Sequence, residues 1–154
     1  MSVPPIPAGY HAVTAYLVVQ DAARAIEFYK SVFGAVELFR LNAGPDKIAH
    51  AELQIGDSRI MLADEFPDMD ALGPGHFGGS PVSLLVYVPD SEEVFFKALE
   101  AGATLKRPLV DQFYGDRSGM VVDPFGHTWS IATHIEDVSP EEMRRRMGEF
   151  EQDS

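Results

Sequence analysis

Apolar and polar positions along this chain fall into two arrays that read alike. Thr14–Val19 is rich in β-branched and aromatic residues and reads as a strand. Asp21 stands where a helix over Ala22–Phe33 needs its cap, and Gly34 follows its end. Ile26, Tyr29, Val32 and Phe33 share one face of that helix. Val36–Leu41 reads as a strand and Asn42–Lys47 as a loop. Ile48–Ile55 and Ser58–Ala63 read as a hairpin around Gly56-Asp57, a two-residue turn signal. The pattern then stops: Phe66–Ser80, with four glycines and two prolines, reads as a linker. It restarts with a strand over Val82–Val88 and with Asp90, the cap of a helix over Ser91–Ala101, three residues ahead of Glu93 in capping-box spacing. Gly102 closes that helix, and Thr104–Arg107 reads as a short strand. Met120–Val122 and Thr128–Thr133 read as a hairpin around Asp123-Pro124-Phe125-Gly126, whose Pro and Gly suit a type I turn. Ser139-Pro140-Glu141-Glu142 opens a last helix, and Glu149–Ser154 reads as a frayed acidic tail.

The two arrays are in register. Asp21 and Asp90 lie 69 residues apart, as do Ile60-Met61-Leu62 and Trp129-Ser130-Ile131, while Gly34-Ala35 and Gly102-Ala103 fall one residue short of that spacing. Self-similarity at a fixed period marks a duplicated structural unit. Each half reads strand, helix, three strands. The predicted organisation is therefore α+β: an N-terminal lead-in over 1–10, a first βαβββ module over 11–66, a linker over 67–80, a second module over 81–137, and a C-terminal helix with an acidic tail over 138–154.

Composition narrows the function. The 154 residues carry 12 Lys and Arg against 24 Asp and Glu, a net charge of −12. That excess speaks against binding nucleic acid, which needs a basic surface, and against anionic membranes. It suits a cationic ligand, or merely a soluble surface. The chain has no cysteine, which removes disulfides, thiolate nucleophiles and Cys-ligated metal centres. The longest apolar runs, Ala15–Val19 and Leu84–Val88, fall far short of the roughly 20 residues that span a bilayer. The first ten residues hold no base and no apolar stretch, so no secretory signal is expected and a cytoplasmic location is the default.

Val18-Val19-x-Asp21, Phe28-Tyr29, Phe33-Gly34 and Asp123-Pro124-Phe125-Gly126-His127, in this order and spacing, resemble the vicinal oxygen chelate superfamily. That superfamily holds glyoxalase I, bleomycin-resistance proteins and extradiol dioxygenases. Gly115-Asp116-Arg117 with Trp129-Ser130-Ile131-Ala132-Thr133 is similar, more narrowly, to its phosphonate-operon-like branch. The resemblance covers about residues 10–137. It implies two βαβββ modules whose curled mixed sheets surround a concave cavity, and a homodimer. In metal-using members it implies four ligands from the first and last strands of each module, positions held here by Thr14, Met61, Ser83 and Ser130. Hydroxyls and a thioether are poor ligands for Zn²⁺, Ni²⁺, Mn²⁺ or Fe²⁺, so neither metal nor other cofactor is expected.

Strand alternation supplies other candidates. In Ile48–Ile55 the apolar set Ala49, Ala51, Leu53 and Ile55 should meet a helix, which turns His50, Glu52 and Gln54 to the concavity. His50 could accept a proton and Glu52 serve as acid, base or cation partner; alternatively, both face solvent or pair with each other. Tyr16, Leu85 and Tyr87 join Met61 in the cavity by the same parity, either as a ligand pocket or as core filling. Tyr114 and Arg117 stand in Phe113-Tyr114-Gly115-Asp116-Arg117, where Arg117 could clamp a carboxylate or phosphonate, or sit with Asp116 on a surface turn. His11, His76, His127 and His134 are scattered, with no pair at helical i, i+4 spacing. No phosphate loop and no serine elbow is present. The expected function is metal-independent binding of a small organic ligand in the cavity. The alternative is a lyase, isomerase or dioxygenase of the same superfamily, using a displaced metal or His50/Glu52 acid–base chemistry. A third reading is a dimer with no active pocket.

Overall fold

The structure, a computed structural model, describes residues 2–152. The first array folds as β1 (Tyr16–Val19), α1 (Ala22–Phe33), β2 (Val36–Asn42), β3 (Ile48–Ile55) and β4 (Ser58–Asp64). The second folds as β5 (Ser83–Tyr87), α2 (Ser91–Glu100), β6 (Thr104–Asp111), β7 (Asp116–Val122) and β8 (Thr128–His134), followed by α3 (Pro140–Gln152). Each makes an open, curled, four-stranded mixed sheet, β1-β4-β3-β2 and β5-β8-β7-β6. The first strand runs parallel to the last and the other pairs are antiparallel. The α+β class and the duplicated βαβββ unit are as the hydrophobic pattern predicts. By internal contacts, one compact unit takes in the chain up to Pro81 together with Pro124–His127. The other takes in Val82–Asp123 and the chain from Thr128 onward.

The duplication extends to strand register. Tyr16 pairs with Met61 and Leu85 with Ser130, 69 residues on. Glu37 pairs with Leu53 and Leu105 with Val121, 68 residues on. The slip of one falls at the helix ends, where α1 closes on Gly34 (φ 68°) and α2 on Ala101 ahead of Gly102 (φ 112°). Both caps form as predicted: Asp21 accepts from Arg24 N at 3.2 Å and Asp90 from Glu93 N at 3.2 Å. A second anchor is also duplicated. Asp64, at the end of β4, accepts from Ala22 N at 2.9 Å, and Thr133 Oγ1, 69 residues on in β8, accepts from Ser91 N at 2.8 Å.

Each core lies between helix and sheet. In the first unit Leu17, Val19, Ile26, Tyr29, Leu53 and Leu62 are buried, with Phe28 and Tyr29 edge-on to Phe125 at 6.2 and 6.4 Å. In the second, Phe95, Ala98, Val121, Trp129 and Ile131 are buried, and Trp129 Nε1 donates to Asp123 Oδ2 at 2.9 Å. Each large apolar side chain so buried stabilises by about 1.5–3 kcal/mol.

Three expectations are corrected. β1 begins at Tyr16, which leaves Thr14 outside the strand. β6 continues through Pro108 to Asp111, with register shifts on either side of Arg107, because an edge strand tolerates a residue without an N–H. β7 begins at Asp116, so Asp116 is a buried strand residue and not part of a surface turn. The segment read as a linker holds two 3-10 turns, Pro67–Met69 and Pro74–Phe77, and Glu65 accepts from Gly73 N at 2.9 Å and contacts His76 Nε2 at 3.1 Å. Within the expected acidic tail, α3 runs on through Gln152, and the last two residues lie outside the described ones. Among the described residues no helix is long and apolar enough to cross a membrane.

Candidate functional site

Alternation in the first sheet sends Leu17, Ala51, Leu53 and Leu62 under α1, buried, and leaves Tyr16, Met61, Glu52 and Phe39 as one row across the other face, paired strand to strand. His50, two residues before Glu52 and opposite Leu41, stands in the next row. Tyr16, Phe39 and Leu41 are about half exposed. His50 and Glu52 are about three-quarters buried, which desolvates their interaction without sealing it.

These side chains form a continuous hydrogen-bonded chain. The Tyr10 hydroxyl, from the lead-in, donates to Glu52 Oε1. Glu52 Oε2 lies 3.0 Å from His50 Nε2, and His50 Nδ1 lies 2.9 Å from the Tyr16 hydroxyl. The hydrogen bond from Tyr10, followed by that from His50, holds the Glu52 carboxyl below its usual range, so it accepts. In the neutral ring Nε2 then carries the proton, and Nδ1 receives the Tyr16 O–H. Burial, then the bond to Glu52, pushes the Tyr10 phenol up to about 12; burial and the Glu52 charge raise Tyr16 as well. Arg59 ties the lead-in down, donating to Gln54 Oε1 at 2.9 Å and Ala8 O at 3.1 Å, with its guanidinium 5.2 Å from the Tyr10 ring. Tyr16 also walls a cleft of about 230 Å³ with Leu72, Phe77 and His127, whose Nε2 bonds Val18 O at 3.0 Å.

The matching row of the second sheet is Leu85, Ser130, Met120 and Arg107. Where the first module has His50 and Glu52, the second has Ser118 and Met120. Its polar cluster lies toward the end of β5 and β8. Tyr87 O–H donates to Asp116 Oδ2 at 2.8 Å, and His134 bridges Asp116 Oδ1 at 2.8 Å and Asp137 Oδ1 at 2.7 Å. These two carboxylates raise the His134 imidazole, and the bond to Asp116 raises the Tyr87 phenol.

The structure thus brings Tyr16, His50, Glu52 and Met61 onto one face. Thr14 precedes that strand and is half-buried. Ser83, Tyr87 and Ser130 share the open face of the second sheet. Tyr114 lies in the β6–β7 turn, its ring 5.3 Å from that of Phe113. Arg117 has the parity of Gly119 and Val121, on the α2 side of β7, where Asp111 holds it at 2.6 and 3.2 Å. Sequence reasoning missed Tyr10, which sits among prolines with no periodic signal, and Asp116, whose strand begins earlier than its pattern. Thr14, Met61, Ser83 and Ser130 offer neither imidazole nor carboxylate, so these residues do not fit the metal that the resemblance implies for metal-using members.

Residues 10–131 match the family described as Glyoxalase/Bleomycin resistance protein/Dioxygenase superfamily. The Mycobacterium tuberculosis protein Rv0887c is 44% identical over 140 residues, covering 88% of this chain and 82% of that protein. The structure of TioX from Micromonospora sp. ML1 aligns with a TM-score of 0.64 and 30% identity over 81% of this chain and 99% of that one. A Bacillus cereus PhnB protein aligns with a TM-score of 0.62 over 80% of this chain and 99% of that one, at 20% identity, a likeness of fold alone. With its duplicated βαβββ units, the chain belongs to the glyoxalase/bleomycin resistance protein/dioxygenase superfamily, the vicinal oxygen chelate group.

Proposed function

We propose that this protein binds a small organic molecule without a metal, on the Tyr16–His50–Glu52 face of the first module. The observation that carries this reading is the hydrogen-bonded chain from Tyr10 to Tyr16, lying beside half-exposed Phe39 and partly buried Met61, in a chain whose counterparts of the superfamily's ligand positions are hydroxyls and a thioether. An anionic carboxylate among aromatic rings suits a cationic ligand, through charge and cation–π attraction. The net charge of −12 favours the same sign. We take the protein to act as a cytoplasmic homodimer without nucleic-acid or membrane partners. The test is titration with cationic aromatic compounds after incubation with Mn²⁺, Fe²⁺, Ni²⁺ or Zn²⁺ and removal of the excess metal. Binding by metal-free protein, weakened about tenfold in Glu52→Gln by loss of about 1.4 kcal/mol, supports the reading. Near-stoichiometric retained metal, or binding that requires it, overturns it.

A second reading rests on the His50–Glu52 contact at 3.0 Å with Tyr16 at 2.9 Å. Glu52 would orient the imidazole as general base, as carboxylate–histidine pairs do in acid–base enzymes. Retained binding with lost turnover in His50→Ala would favour it.

A further inference from the structure

Between α2 and the edge strand β6 lies a cavity of about 680 Å³ in the second unit. Phe96, Leu99, Leu105 and Pro108 form walls, with Phe95 and Leu109 alongside. The internal duplication supplies a comparison within one chain. At the helix offset of 69, Phe96 and Leu99 correspond to Glu27 and Lys30. Counted along the strand at the register offset of 68, Leu105 corresponds to Glu37, and Pro108, which falls within the register shift after Arg107, to Arg40. In the first unit those four side chains form a run of ion pairs: Lys30 to Glu27 at 3.5 Å, Lys30 to Glu37 at 3.3 Å, and Arg40 to Glu37 at 2.8 Å. The same place in two copies of one fold is therefore held by four charged side chains in one and by four apolar ones in the other. Folding does not demand the apolar set, because the first unit folds with the charged one. Phe96 and Leu105 remain 49% and 53% exposed, an apolar surface of the kind that marks binding sites.

The volume lies within the range of small-molecule sites. The charged part of the lining defines the charge of the occupant. Glu92, Asp111 and Arg117 line the cavity, and Asp111 already holds the Arg117 guanidinium through Nε at 2.6 Å and Nη2 at 3.2 Å. The bond to Asp111, and the charges of Glu92 and Asp90 after it, raise the Arg117 guanidinium, so acid charge outnumbers the one cation here. We propose that the α2–β6 cavity is a second small-molecule site, for an amphiphilic organic cation whose apolar body lies against Phe96, Leu99 and Leu105 and whose ammonium group faces Glu92 and Asp111. It shares no residue with the Tyr16–His50–Glu52 face.

The test is calorimetric titration of the full chain with decyltrimethylammonium and decyl sulfate, each below its micelle concentration. Leu99→Lys/Leu105→Glu transplants the central ion pair of the first unit without changing net charge. The expected result is preference for the ammonium probe, an affinity loss of about tenfold or more in that double variant, a loss of about threefold in Glu92→Gln, and no change in Glu27→Gln, which removes one exposed acid of the first unit. Leu105→Gln, at a half-exposed position, carries the test if the double variant does not fold; its expected loss is about threefold. Unchanged affinity in the cavity variants overturns the proposal, as does equal or tighter binding of decyl sulfate. A loss confined to Glu52→Gln places the probe at the other face and overturns it too. So does a dimer that the double variant dissociates, because a second copy would then fill the cavity.

Discussion

Asp64 is buried with one carboxylate oxygen 2.9 Å from Ala22 N and the other 2.7 Å from Ile48 N. Thr133 receives Ser91 N at 2.8 Å and returns its own proton to Val88 O at 2.7 Å. Orphaning a buried donor costs about 1–3 kcal/mol, so Asp64→Ala should destabilise by about 2–5 kcal/mol and Thr133→Val by about 1–3. Urea midpoints at unchanged m-value measure both, and a change under about 0.5 kcal/mol for Asp64→Ala would remove its anchoring role. His134 makes a pH prediction. Asp116 and Asp137 raise its folded pKa above the unfolded value of about 6.5. Its contribution is therefore fully present below about pH 6.5 and disappears as pH rises through the folded value. The stability difference between wild type and His134→Gln should be largest in mild acid and vanish in alkali. A difference that grows with pH would reverse the assignment.

At the scale of elements the duplicated caps should act alike. Asp21→Ala and Asp90→Ala each remove a cap at 3.2 Å and should cost about 0.5–2 kcal/mol. Because they lie in separate compact units, the double variant should lose about the sum, and a clear shortfall in the denaturation midpoints would show the two helices coupled. Helix legibility follows from this chemistry: α1 begins and ends where its Asp and Gly place it, and the α2 start is likewise written at Asp90. The first sheet was legible because Ala49–Ile55 alternates apolar with polar, which also turned His50, Glu52, Tyr16 and Met61 to one face. β6 and the start of β7 were not legible. Pro108 reads as a breaker unless the strand is known to lie at an edge, and Asp116 reads as a turn residue until Tyr87 and His134 are seen to satisfy it. Tyr10 depends on contacts with residues some forty positions away, which no local pattern encodes.

For the whole molecule the governing quantity is the charge imbalance. Twelve bases face 24 acids, so twelve carboxylates stay uncompensated at neutral pH even if every base is paired. Salt acts on both sides of this balance. It weakens surface pairs such as Arg146 with Glu136 at 2.9 Å, each worth about 0–1 kcal/mol. It also screens the repulsion among the surplus carboxylates, which opposes the compact state. Several bases already share more than one acid, as Arg145 does with Glu142 and Glu149 and Lys30 with Glu27 and Glu37. Such sharing draws carboxylates together, and the attraction that screening removes is small beside the repulsion it relieves. Raising sodium chloride from about 10 to about 150 mM brings the screening length to about 8 Å. The urea midpoint at pH 7 should therefore rise. The response should shrink as pH falls toward the isoelectric point near 4.6, where the surplus is titrated away. A midpoint that falls with salt at pH 7 would mean that the ion pairs outweigh the repulsion, and the acid excess would then have no part in limiting the stability of the fold.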